Sequence, residues 1–246
     1  MGVKLTLLQP FDILNSILQT IFIITTAIVG IKIAAKYFTY KDRVFLMVGL
    51  AWIGMVEPWM GSVSNFFYTI ITGNMFNVQI YILIGLSFLP ISLTFWFVAI
   101  TDLMYKKRQK LILIIIVIYG VLFEIYFLYY VFTDPSVLAE LHGVINIEYK
   151  LPLQMYIFSI LLISLIAGLL FARISIKSDS NEVSLKGKFL FIAFILFVAG
   201  AVSDTIFLRD ILTLFITRIL LISASVFFYL GFILPKFIKK RFEIEI

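Results

Sequence analysis

A chain of 246 residues that is 62% hydrophobic, 17% aromatic and only 14% charged cannot hide its apolar side chains in a water-soluble core, since soluble domains carry about 25% charged residues; its solvent has to be lipid. The absence of cysteine excludes disulfides, thiolate nucleophiles and cysteine metal sites, and a single histidine, His142, excludes zinc sites built from several histidines. The net charge of +6 is gathered into loops, which points to anionic lipid headgroups and away from nucleic acid.

A membrane-spanning helix needs roughly 20 mostly apolar residues, and seven runs meet that requirement. The segment Met1-Gly2-Val3-Lys4 is weakly basic and leads into the first run, 11–35, with no small-residue cleavage site, so an uncleaved helix is expected. The second run, 44–71, carries Glu57, Pro58 and Trp59. The third, 78–105, is interrupted by Pro90, and the fourth, 111–132, contains Glu124. A loop, 133–150, holds Asp134, Glu140, His142 and Glu148. The fifth run is 151–174, the sixth is 189–208 with Asp204, and the seventh is 211–235 with Arg218. The expected fold is an all-α, polytopic bundle of seven transmembrane helices forming one domain over residues 1–246.

Basic residues set the orientation. Lys36, Lys41 and Arg43 follow the first run, and Lys106, Lys107, Arg108 and Lys110 follow the third. Arg173, Lys177, Lys186 and Lys188 follow the fifth, and Lys236, Lys239, Lys240 and Arg241 follow the seventh. The alternate loops hold Lys150 and Arg209, with Lys4 at the N-terminus. Short cytoplasmic loops are rich in Lys and Arg, so the N-terminus is expected outside and the C-terminus inside a cell membrane.

Glu57, Glu124, Asp204 and Arg218 lie well inside apolar runs. Charged residues there cost roughly 2.5–3.5 kcal/mol each on insertion scales, so they should face the bundle interior. At 1.5 Å per residue, Glu57 and Glu124 lie about 20 Å from the inner surface, Asp204 about 22 Å, and Arg218 about 10 Å below the outer one. All four are expected in one layer in the outer half. Asp204 and Arg218 sit on consecutive antiparallel helices, each seven positions from Ile211, and should form an ion pair. Glu57 and Glu124 have no evident cationic partner. Gly54, Glu57, Gly61, Ser64 and Asn65 follow helical spacing and make a small polar stripe, suited equally to close packing and to a pocket beside Trp59. Pro58 and Pro90 are expected helix bends. Asp102, four residues before Lys106, reads as an interfacial pair.

No lysine for a retinal Schiff base occurs in the last helix. The stretch Phe45-Leu46-Met47-Val48-Gly49-Leu50-Ala51-Trp52 followed by Glu57, and the stretch Gly85-Leu86-Ser87-Phe88-Leu89-Pro90 followed by Phe95-Trp96-Phe97, resemble helices two and three of the N-terminal seven-helix sensor region of prokaryotic histidine kinases. The resemblance covers under a third of the chain, and the kinase segment of that family is missing. It implies a membrane sensing module with Glu57 and Pro90 as structural or pocket residues.

The resulting expectation is a stand-alone receptor-like module. It binds a small or lipophilic ligand in the outer half through Glu57, Trp59, Glu124, Asp204 and Arg218, and signals to a separate cytoplasmic protein. The alternative is a small transporter or proton-coupled carrier, as a homo-oligomer where one bundle lacks a pathway. Gly-x-Ser-x-Gly, His-Glu-x-x-His and paired-aspartate motifs are absent, so no enzyme, catalytic residue, metal or cofactor is expected.

Overall fold

The computed structural model describes residues 8–206 and 210–242. Lys4, Arg209 and the turn expected near Leu208 lie outside the described residues. Among the described residues the secondary structure is helical apart from one small hairpin. Six helices among them are long and apolar enough to cross a membrane, and the number is seven when one broken pair counts as a single span.

The first run forms α1 (Pro10–Ala34), continued by the short α2 (Lys36–Tyr40). Pro10 sits in the first turn, where its missing N–H costs nothing, and the Asp12 carboxylate accepts from the Gln9 N–H at 3.0 Å. The second run is two helices, α3 (Arg43–Gly54) and α4 (Glu57–Thr72), set at 50° to each other. The expected single helix over 44–71 is therefore corrected. The third run is likewise interrupted, into α5 (Val78–Leu86) and α6 (Leu89–Met104). One cause serves both. A proline cannot donate to the carbonyl four residues back, and its ring presses on that carbonyl. Pro58 therefore ends α3 at Gly54, and Pro90 ends α5 at Leu86. The bends expected at the prolines fall two to three residues before them.

The remaining spans are unbroken: α7 (Gln109–Thr133), α8 (Leu151–Ile176), α9 (Asn181–Ile206) and α10 (Ile211–Phe232). A short helix at the basic end, α11 (Lys236–Arg241), follows Pro235. The helix predicted to run to 235 thus stops at Phe232. The broken pairs pack half on half, α3 against α6 and α4 against α5, while α9 packs on both α8 and α10 and α1 contacts α3, α4 and α10. Between α1 and α3, glycines allow close approach: a Cβ on Gly49 would stand 2.4 Å from the Gly30 carbonyl oxygen. α7 buries one stripe, Ile116, Gly120, Phe123, Phe127 and Val131, and turns isoleucines, leucines and valines outward, as a lipid-facing helix does.

The loop over 133–150 is not irregular. β1 (Ala139–Leu141) pairs antiparallel with β2 (Ile147–Tyr149), with Glu140 opposite Glu148. Gly143 takes φ +106° in the turn, a conformation open to glycine. Like charges facing across a ladder repel. Here Lys150 offsets them, lying 3.0 Å from Glu140 and 3.6 Å from Glu148, and both carboxylates raise the Lys150 pKa, Glu140 foremost. Leu138, Ala139, Val144 and Ile145 are buried, so the hairpin is seated on the bundle. Asn65 fastens it, donating from Nδ2 to the Val144 carbonyl at 2.7 Å while its Oδ1 accepts from the Phe76 N–H at 2.7 Å.

Candidate functional site

Beneath the hairpin lies a cavity of about 320 Å³ between α1, α4 and α5 on one side and α8 and α9 on the other. α1 contributes Asn15 and Gln19, one helical turn apart; α4 contributes Pro58, Trp59 and Ser62; α5 contributes Tyr81. The hairpin supplies Asn146 and Tyr149, α8 supplies Gln154 and the apolar Ile160 and Leu161, and α9 supplies Asp204 and Thr205. Its volume is at the lower end of the range for small-molecule sites, about 300–1,000 Å³.

A charged network closes one wall. Arg218 on α10 is 1% exposed. Its Nη2 donates to Asp204 Oδ1 at 2.8 Å and to Asn15 Oδ1 at 2.8 Å. The second Asp204 oxygen accepts from the Trp59 indole N–H at 2.5 Å. The expected Asp204–Arg218 pair is formed, and Trp59 joins it. Four helices, α1, α4, α9 and α10, are held by this one cluster. Arg218 Nε and Nη1 are buried with no partner among the described residues. Beside the network the Ser62 hydroxyl donates to Gln19 Oε1 at 2.6 Å.

The other two acids, Glu57 and Glu124, do not line this cavity. Glu57 is 2% exposed and does not line the cavity. Its Oε1 accepts from the Phe88 N–H at 2.7 Å, and its Oε2 has no partner among the described residues. Glu57 begins α4 and Phe88 precedes α6, so the carboxyl bridges the two helix breaks. The polar stripe on α4 splits the same way. Gly54 packs on Ser92 of α6 and Gly61 on Tyr81 of α5, while Asn65 holds the hairpin. Packing, and no pocket, explains those glycines. Glu124 on α7 is half-buried, with one oxygen buried and without a partner among the described residues. It is not part of the cavity wall.

Below the cavity, toward the basic end, the interior is filled with rings. Trp52 stacks on Phe228 with centroids 3.6 Å apart and planes at 6°, and lies 5.2 Å from Phe197. Trp96 lies 5.4 Å from Phe194. At the basic end itself, Asp102 takes more than the expected Lys106. Arg43 Nε and Nη2 approach its two oxygens at 2.6 and 2.8 Å, Gln109 Nε2 donates at 2.9 Å, and Lys106 completes the set. A two-pronged arginine contact is geometrically specific, and it joins the first turn of α3 to the last turn of α6.

The residues missed in the sequence are uncharged. Asn15 and Gln19 stand one turn apart in α1, with Ser16 and Thr26 buried on the same helix, a spacing that marks one polar face. The hairpin also had a signal: Ile145, Ile147 and Tyr149 alternate with Asn146 and Glu148 after His142-Gly143, the period-two pattern of a strand. Comparison of the chain with protein-family models, curated proteins and solved structures returns no match.

Proposed function

We propose that the chain is a multi-pass protein of the cell membrane with seven spans, the hairpin end outside and the basic end in the cytoplasm. In this reading it is a receptor-like module that binds a small ligand under the hairpin and signals to a separate cytoplasmic protein. The observation that carries the reading is the cavity itself: about 320 Å³ beside the Asp204–Arg218 pair, with an apolar end lined by Met55, Leu89, Ile160, Leu161 and Ala201. A polar pocket that stops partway through an apolar bundle suits binding better than passage. The four-helix network gives a ligand at Asp204 or Asn15 contact with α1, α4, α9 and α10, and a ligand shifts a conformational equilibrium only through such differential contacts. The partial resemblance to seven-helix sensor regions points the same way.

A second reading rests on a different observation. Two adjacent helices are interrupted side by side, as in carriers whose sites are built at broken helices. Reconstitution in proteoliposomes separates the two. The receptor reading expects proton flux no greater than in protein-free vesicles under an imposed pH gradient. Flux that disappears in Asp204→Asn would overturn it in favour of the carrier.

A further inference from the structure

The cavity wall carries information about charge. Among the described lining residues, Asp204 is the one carboxylate, and no lysine or arginine lines the space. Both Asp204 oxygens are engaged, one by Arg218 at 2.8 Å and one by Trp59 at 2.5 Å. The Arg218 guanidinium cancels the carboxylate charge. An anionic ligand therefore meets no free cation. A cationic ligand has to draw Asp204 from a buried partner, which strands a buried guanidinium and is strongly unfavourable.

The wall also has two chemically different ends. Toward the hairpin stand the Asn146 and Gln154 amides, and Tyr149 of the hairpin also lines the space. The Tyr149 hydroxyl is buried without a partner among the described residues, and a buried polar group left unpaired is costly. Toward the helix breaks the lining is apolar: Met55, Pro58, Leu89, Ile160, Leu161 and Ala201. Leu161 lies ten residues into α8, about 15 Å along its axis from Leu151. The rim adds a third feature. Phe158 on α8 is 38% exposed, and Thr205 on α9 is exposed beside the same space, so the cavity borders the lipid-facing side of the bundle. Asn146 is exposed at the hairpin end.

We infer that this cavity takes an uncharged amphiphile, with a hydroxyl-bearing headgroup under the hairpin and a medium-length acyl or alkyl chain running toward the helix breaks. The inference rests on the reading of the cavity as a ligand site and deepens it. Carboxamides and a phenol both donate to and accept from hydroxyls without needing charge. The apolar floor removes the chain from water or exchanges it from lipid.

The test is photolabelling of the full chain in phosphatidylcholine nanodiscs. Three chain-matched diazirine probes are used, built on monodecanoylglycerol, decanoate and decylamine. The glycerol ester is expected to label peptides spanning 154–161 and 201–205 about tenfold more than either charged probe, equivalent to about 1.4 kcal/mol, and unlabelled monodecanoylglycerol should compete. Gln154→Leu should cut that labelling severalfold while leaving the apolar floor intact. Ala201→Phe, which fills the floor, should abolish it, with thermal unfolding checked in parallel. Labelling by the ammonium or carboxylate probe at an equal or greater level overturns the charge assignment and leaves the ligand site standing. Absence of cavity labelling by all three overturns both. Monohexanoylglycerol and monopalmitoylglycerol probes add the source: labelling by either supports the uncharged class, the first marking delivery from water and the second delivery from the bilayer.

Discussion

Removing the Asp204 carboxylate should be the most damaging single change in the bundle. The Arg218 side chain is 1% exposed and that of Asp204 is 13% exposed, so the guanidinium, once its carboxylate is removed, has little recourse to water. In Asp204→Ala the guanidinium keeps one acceptor, Asn15 Oδ1 at 2.8 Å, while Nε and Nη1 already have none among the described residues. Leaving one partner of a buried pair uncompensated costs about 3–5 kcal/mol, or roughly two to four decades in the folded-to-unfolded ratio. The Trp59 N–H loses its acceptor in the same step. Asp204→Asn keeps one acceptor oxygen, for Arg218 or for Trp59 but not for both, and sets its amide N–H2 against the other donor, so it should recover only part of the loss seen in Asp204→Ala. The double variant Asp204→Leu with Arg218→Met removes both charges and should recover much of the loss, because apolar replacement of a buried pair is often close to neutral. The assay is reversible unfolding in mixed micelles with increasing dodecyl sulfate, run as a double-mutant cycle. A cost below about 1 kcal/mol for Asp204→Ala, the range of exposed ion pairs, would refute the view that this network is a dry, four-helix clamp.

Glu57→Ala strands the Phe88 N–H and should cost about 1–3 kcal/mol, whereas Glu57→Gln, which keeps an acceptor, should cost less; equal losses in the same unfolding assay would refute the bridging role. Gly54→Ala places a Cβ 2.6 Å from the Ser92 Cβ, so overpacking of about 1–3 kcal/mol is expected, and Ser92→Gly in the same chain should relieve it. Asp210 caps α10, accepting from the Thr213 N–H at 2.9 Å, and this bond holds its carboxyl below the ordinary carboxylate value. Its contribution is therefore complete above about pH 4 and is lost as pH falls through the lowered pKa. The protection of the Thr213 amide against exchange, taken relative to the intrinsic rate at each pH, should fall on acidification in the native chain and stay constant in Asp210→Asn.

The spans were legible because lipid demands long apolar runs, and the prolines showed where two would fail. The basic clusters were legible as loops. What composition could not show is which neighbour each buried acid meets. Asp204 and Arg218 lie on consecutive helices close to a shared turn, so equal spacing from that turn predicts contact. Glu57 instead meets a backbone N–H 31 positions away, and nothing in a side-chain pattern advertises a main-chain donor freed by a helix break. Trp59 and Asp204 were legible as pocket residues, but most of the cavity lining was not, for a related reason. Its polar lining is mostly amide and hydroxyl, contributed by α1, α5, the hairpin and α8, and only juxtaposition makes a site of Asn15, Tyr81, Asn146 and Gln154.

The Glu57–Phe88 bond has a mechanical consequence. Each of two neighbouring spans has a discontinuity in its backbone ladder, and the carboxyl ties one discontinuity to the other. α4 packs on α5 and α3 packs on α6, so the half-helices pair above and below the two breaks, and α3 and α6 are joined again by Arg43 and Asp102 at the far end. The cavity wall bearing Trp59, Ser62 and Tyr81 lies on α4 and α5, so under the proposed receptor reading a ligand in the cavity would press on the same two half-helices that the Glu57–Phe88 bond joins to the breaks.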